Sequence, residues 1–193
     1  MERFEFAIEA YVSRVREGLD LLDTTAVRSL ALALFDALER QVDVYVFGNG
    51  GSAAAASHLT VDLAKGACAG TPRRFRVHCL NDNVPTMTAL ANDIAYDHVF
   101  VEPLRNLLRP GDLVIAFSGS GNSPNVVRAV EYARELGATV AGITGFDGGR
   151  LKVLADISIH LPLADMQVAE DMQLVVTHAL MRTLGAHLGA DGC

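Results

Sequence analysis

His58 and Asp62 stand four residues apart in the stretch VYVFGNGGSAAAASHLTVDLAKG, residues 44–66. On a helix that spacing sets an imidazole and a carboxylate side by side on one face. A second polar set, Glu170, Asp171, Gln173 and His178, interrupts an otherwise apolar stretch nearer the C-terminus. His178 falls inside LVVTHALM, residues 174–181, where a solvent-facing side chain is not expected. Two histidines and two of these carboxylates could make a tetrahedral zinc-type site. They could also supply a general acid and a general base. The spacing fits both.

Two turns rich in glycine and serine bear on what such a centre would act upon. Gly48-Asn49-Gly50-Gly51-Ser52 follows the run Val44–Phe47, and Ser118-Gly119-Ser120-Gly121-Asn122-Ser123 follows Leu113–Phe117. Glycines let the backbone come close to a ligand, hydroxyls and free N–H groups at a helix start donate, and the helix dipole favours an anion. Ser118, Ser120 and Ser123 could converge on the oxygens of one phosphate. The plainer alternative is a pair of tight turns with serine caps, although three serines interleaved with two glycines exceed what a cap needs. No lysine lies in the second turn, so it is not the nucleotide loop ending in GK[ST]. Gly48-x-Gly50-x-x-Ala53 matches a dinucleotide fingerprint, which needs an acidic residue at the end of the next strand. That strand ends at Leu80, and Asp82 lies too far along the chain, so a nicotinamide or flavin site is not expected.

The elements that would position these groups follow from periodicity. Residues 2–40 carry apolar side chains at helical spacing on either side of Asp23-Thr24-Thr25, which predicts two helices with a stop and N-cap between them. From Val42 onward, continuous apolar runs at Val44–Phe47, Phe75–Leu80, Leu113–Phe117, Thr139–Ile143 and Ile157–Leu161 alternate with helix-length segments. That alternation predicts a three-layer αβα fold around a five-stranded parallel sheet, with strands buried on both faces. A long last helix is expected over Gln167–Leu188, ending near Gly189. With no linker or repeat, residues 1–193 are read as one α/β domain, 1–40 the N-terminal helical pair and 42–188 the core.

The net charge of -7 disfavours a general nucleic-acid surface, which requires a basic face. Cys68, Cys79 and Cys193 show no paired spacing and read as free thiols of a reducing compartment. No apolar run approaches the roughly 20 residues of a membrane span. A cytoplasmic location is expected. His78, His98, His160 and His187 are assigned to structure or surface.

With these residues laid out, the chain resembles the sugar isomerase (SIS) domain family, and within it the phosphoheptose isomerases. The resemblance rests on GNGGS (48–52), NDIAYDHVF (92–100), GDLVIAFSGSGNSPNVVRAV (111–130), GITGFDGGRLKVLADISIHLP (142–162) and the polar last helix. It implies a flavodoxin- or Rossmann-like core and the conversion of sedoheptulose 7-phosphate to D-glycero-D-manno-heptose 7-phosphate. By matching position, it implies that Asn49, Gly50, Gly51, Ser52, Asn92 and Asp93 line the sugar phosphate. Ser118, Gly119, Ser120 and Ser123 would hold the phosphate, with Asp62 and His178 as acid–base pair. It further implies one zinc ion per subunit on His58, Asp62, Glu170 and His178, and a homotetramer packed through the N-terminal helices. Three positions depart from the family pattern: Asp62 stands for a glutamate, Glu170 for a glutamine and Gln173 for a histidine. They keep open an isomerase of another phosphosugar, and the resemblance itself leaves a second competing reading, a non-catalytic regulator that binds a sugar phosphate or a partner protein.

Overall fold

The computed structural model describes residues 2–190, so Cys193 lies outside the described residues. Two helices come first, α1 (Glu2–Asp20) and α2 (Thr24–Arg40). Asp23 caps the second as expected: its Oδ1 accepts hydrogen bonds from the amides of Thr25 at 2.8 Å and Ala26 at 3.2 Å. Val27, Leu30, Ala31, Leu34 and Leu38 recur at three- and four-residue spacing, and this stripe is buried.

The core alternates strand and helix: β1 (Asp43–Gly48), α3 (Gly51–Val61), β2 (Arg76–Cys79), α4 (Val84–Asp93), α5 (Val101–Leu107), β3 (Leu113–Ser118), α6 (Pro124–Leu136), β4 (Thr139–Thr144), α7 (Gly149–Leu154), β5 (Ile157–His160) and α8 (Met166–Leu188). The five strands form a parallel sheet in the order β2-β1-β3-β4-β5. On one face, α2, α3 and α8 cover Val44, Val46, Ile115, Phe117, Ile143 and Ile159. On the other, α5 and α6 cover Tyr45, Phe47, Val114, Ala116 and Val140. Full burial of each valine, isoleucine or phenylalanine among them stabilises the fold by roughly 1.5–3 kcal/mol.

The expectation that every strand is buried on both faces holds for β1 and β3 but not for the two edges. β2 alternates between exposed and half-buried residues, and three of the four residues of β5 are half-buried. An edge strand has a neighbour on one side only, so its outer margin meets water. The helix carrying His58 and Asp62 also departs from the regular form. It widens at Asp62 into a π-helical turn over Asp62–Gly66, closed by a bond from the Ala67 amide to the Asp62 carbonyl at 2.8 Å. Such turns gather at functional positions. Among the described residues, no helix is long and apolar enough to cross a membrane.

The four histidines assigned to structure or surface have ordinary partners. His78 meets Asp43, His98 meets Glu102, His160 meets Thr144, and His187 packs edge-on against Phe35.

Candidate functional site

In this strand order the direction of winding reverses between β1 and β3, which opens a crevice at their carboxyl ends. The two glycine turns leave from those ends. Gly48 is in register with Phe117, and the side chains of Asn49 and Asn125 tie the turns together. Each amide donates to the other's oxygen at 2.9 Å, while the Tyr96 hydroxyl donates to Asn49 Oδ1 at 3.0 Å.

A cavity of about 240 Å³ lies between the turns. Asn49, Gly50 and Ser52 line one side, and Ser118, Gly119, Ser120 and Ser123 line the other. The Ser118 hydroxyl accepts from the Gly121 amide at 3.1 Å and that of Ser120 from the Asn122 amide at 3.3 Å. Both hydroxyl hydrogens therefore remain to be donated. Ser123 precedes α6 without capping it through its side chain. Capping alone thus fails to account for the serines. The loop is braced from behind, because Gly119 O accepts from the Gly145 amide at 2.8 Å and Gly121 O from that of Leu151 at 2.9 Å.

Helix α8 closes the cavity with Met166 and Glu170. Close approach here depends on two glycines. A Cβ at Gly119 would overlap the Met166 sulfur, and one at Gly51 would overlap the Glu170 carboxylate.

Further along the same two helices, His58, Asp62 and His178 come together, their ligand atoms all within 4.8 Å of one another. The two Nε2 atoms are 2.9 Å apart, and Asp62 Oδ2 lies 3.6 Å from His58 Nε2. Asp62 is buried, yet Oδ2 has no hydrogen-bond partner. Burial pushes its carboxyl above the usual range, and the imidazoles of His58 and His178 act in the opposite direction. An orphaned carboxylate oxygen beside two imidazole nitrogens is a donor set suited to zinc. His178 is exposed rather than inward-facing, because the buried stripe of α8 runs through Ala169, Gln173, Val176 and Leu180.

Three expected site residues are placed elsewhere. Glu170 is not in the His58–Asp62–His178 group; it precedes His178 by eight residues, about 12 Å along the helix, and its carboxylate turns toward Gly51. Asn92 and Asp93 end α4, exposed and bonded to each other at 2.8 Å, outside the cavity lining. Tyr96, from the same stretch, is the residue that reaches the turns. Sequence reasoning also passed over Asn125, whose signal was a lone amide at the start of an apolar helix. Gln173 is buried with both amide atoms unpartnered.

Comparison with known proteins matches residues 7–145 to the SIS domain family. The chain is 36% identical over 176 residues to a phosphoheptose isomerase of Mycobacterium tuberculosis, covering 91% of this chain and 89% of that protein. It is 40% identical over 133 residues to one of Rhodospirillum rubrum, covering 69% and 70% respectively. Among solved structures, a phosphoheptose isomerase from Neisseria gonorrhoeae superposes with a TM-score of 0.85 at 26% identity, covering 96% of this chain and 98% of that one.

Proposed function

The chain belongs to the SIS domain family, and from that membership and the site geometry we propose that it is an isomerase converting sedoheptulose 7-phosphate to D-glycero-D-manno-heptose 7-phosphate. One observation carries the substrate's length. Ser52 and His58 are six residues apart on α3, and Glu170 and His178 eight apart on α8, or about 9 and 12 Å along the helices. An extended seven-carbon phosphate measures roughly 10 Å from C1 to phosphorus at ordinary single-bond lengths. A phosphate in the serine loop therefore brings the ketose end to His58, Asp62 and His178.

Ser118, Ser120 and Ser123 donate to the phosphate oxygens, and the start of α6 adds its positive end. Anchoring the phosphate fixes the reacting carbons, so binding energy remote from the chemistry aids the chemical step. Asp62 Oδ2 takes the proton from C1, for which a carboxyl raised by burial is better suited than an exposed one. His178 Nε2–H donates a proton to C2 as the enediol collapses to the aldose; O2 gains the proton that the C1 hydroxyl gives up, and exchange with water returns Asp62 and His178 to their starting states. His58, Asp62 and His178 would hold one zinc ion per chain, which when bound supplies polarisation of the substrate carbonyl. A carboxylate held by a cation is a weaker base, and an imidazole nitrogen bound to one carries no proton to give, so holding the ion and moving the proton are alternative roles for Asp62 and His178 that chelation separates.

The test is incubation of the purified protein with sedoheptulose 7-phosphate, following aldose by NMR before and after chelation. Conversion is expected, and its absence under all metal conditions would overturn the proposal. Loss on chelation assigns Asp62 to holding the ion; retention assigns it to proton transfer.

The same reading extends to a homotetramer. Phe4, Phe6, Ile8 and Leu19 of α1, with Leu32 of α2, are exposed apolar side chains on the N-terminal helical pair. Light scattering should give about four times the 20.6 kDa chain mass. A monomer mass at micromolar concentration would contradict it.

A further inference from the structure

The cavity between the two turns is lined mostly by donors, the Asn49 amide and the hydroxyls of Ser52, Ser118, Ser120 and Ser123. Glu170 stands among them as an acceptor bearing a negative charge. It has no hydrogen-bond partner among the described residues. A site for a bare phosphate is weakened by a carboxylate, since like charges in one cavity repel. Its presence there makes chemical sense for a ligand that brings hydrogen-bond donors together with its anion.

Its placement says how the ligand is divided. The carboxylate fills the space over Gly51, the first residue of α3, and so lies at the positive end of that helix. At the start of α6, behind the serine loop, Ser123 does not cap with its side chain, Pro124 has no N–H and the Val126 amide donates to Asn125 Oδ1 at 3.0 Å, so what this helix start offers an anion is chiefly its dipole. Two helix starts face one cavity, one beside a resident anion and the other beside the serine hydroxyls, with no acidic side chain in its first turn.

We propose that Glu170 is a specificity-determining residue. Its carboxylate confines the phosphate to Ser118–Ser123 and accepts hydrogen bonds from the hydroxyls of the adjoining carbon chain. This rests on the phosphosugar reading above and adds to it a selection for polyhydroxylated monophosphates over inorganic phosphate. Bisphosphates are rejected by the same charge. The donors are hydroxyls; an ammonium on an amino sugar offers the same contact chemistry and is separated by the test.

The experiment is calorimetric titration of the wild-type protein and Glu170→Gln with three probes: inorganic phosphate, sedoheptulose 7-phosphate and an amino sugar phosphate. Glutamine keeps the shape and removes the charge. Inorganic phosphate should bind about tenfold more tightly to the variant, and the preference for the heptulose phosphate over it should fall by at least that factor. Equal changes for both ligands, or none, would overturn the role. A change confined to the amino sugar phosphate would overturn the hydroxyl assignment. Zinc retained after equilibrium dialysis should match wild type, whereas a fall would make Glu170 a metal ligand instead. A Ser120→Ala arm keeps the premise separate: if it leaves both phosphates bound as before, the phosphate reading itself fails, whatever Glu170 does.

Discussion

Asp43 at the amino end of β1 and Asp62 beyond its carboxyl end are both buried aspartates with a histidine beside them, and they are treated in opposite ways. Asp43 is fully engaged. Its Oδ1 accepts from Arg76 Nε at 3.0 Å and meets His78 Nε2 at 2.8 Å, and its Oδ2 accepts from Arg76 Nη2 at 3.0 Å. The backbone amide of Asp43 donates to Asp112 Oδ1 at 3.1 Å, and the ring of His78 stacks on Tyr45 with centroids 5.2 Å apart. Asp62 is left with an unpartnered Oδ2 and a histidine nitrogen at 3.6 Å. Burial pushes both carboxyls up. At Asp43 the hydrogen bonds from Arg76 and His78 override it and hold the group below the usual range, whereas at Asp62 burial prevails. A histidine–aspartate pair therefore says little about function until its remaining hydrogen-bonding capacity is counted. A pair with none to spare fastens an edge strand. One with capacity left over is open to a ligand.

Exchanging each carboxylate for its amide breaks this contrast from both sides. The largest effect belongs to Asp62→Asn, which should lower turnover by roughly 10²–10⁴-fold, the range for removing a general acid or base. Phosphosugar binding should persist. Asp43→Asn should instead leave turnover per folded molecule near wild type and cost about 1–2 kcal/mol of stability, because it weakens the charge-assisted hydrogen bonds of a buried carboxylate whose guanidinium and imidazole partners stay half exposed to water. The smallest effect is in pH dependence, and it has opposite signs. The folded carboxyl of Asp43 is depressed, so its stabilisation is present above the unfolded value near pH 4 and is lost as pH falls through the folded value. The folded carboxyl of Asp62 is raised, so in metal-free protein it opposes folding increasingly as pH climbs past about 4. Urea melts from pH 3 to 7 on the two variants read both slopes. Two variants that behaved alike in turnover and in melting would dissolve the distinction.

How far the sequence reveals this arrangement depends on the element. β1 and β3 are legible because strands with neighbours on both sides are apolar on both faces. RVHC, by contrast, alternates, and only its place at the sheet edge explains why. The two turns are legible because glycine and serine at strand ends have few other uses, and their convergence follows from β1 and β3 being neighbours. The His58–Asp62 pair is legible from helical spacing, but the π-helical turn starting at Asp62 leaves no mark in residue type. Glu170 was expected to join His58, Asp62 and His178 because polar residues on one helix invite grouping. Its side chain instead follows the room left by Gly51, a packing fact of two helices that neither segment carries alone. His178 was expected to face inward from its apolar neighbours, yet those neighbours lie on the flanks and far side of α8, and the imidazole meets His58 at the surface.

The central claim is that the serine loop holds a phosphate while the unpaired carboxylate and imidazoles move a proton between adjacent carbons of the same molecule. Running the isomerisation in deuterated water and reading the product by NMR addresses it directly. The expected product is an aldose carrying deuterium at C2 for wild type, with almost none formed by Asp62→Asn. Conversion that leaves C2 fully protonated, or that proceeds unchanged in Asp62→Asn, would contradict it.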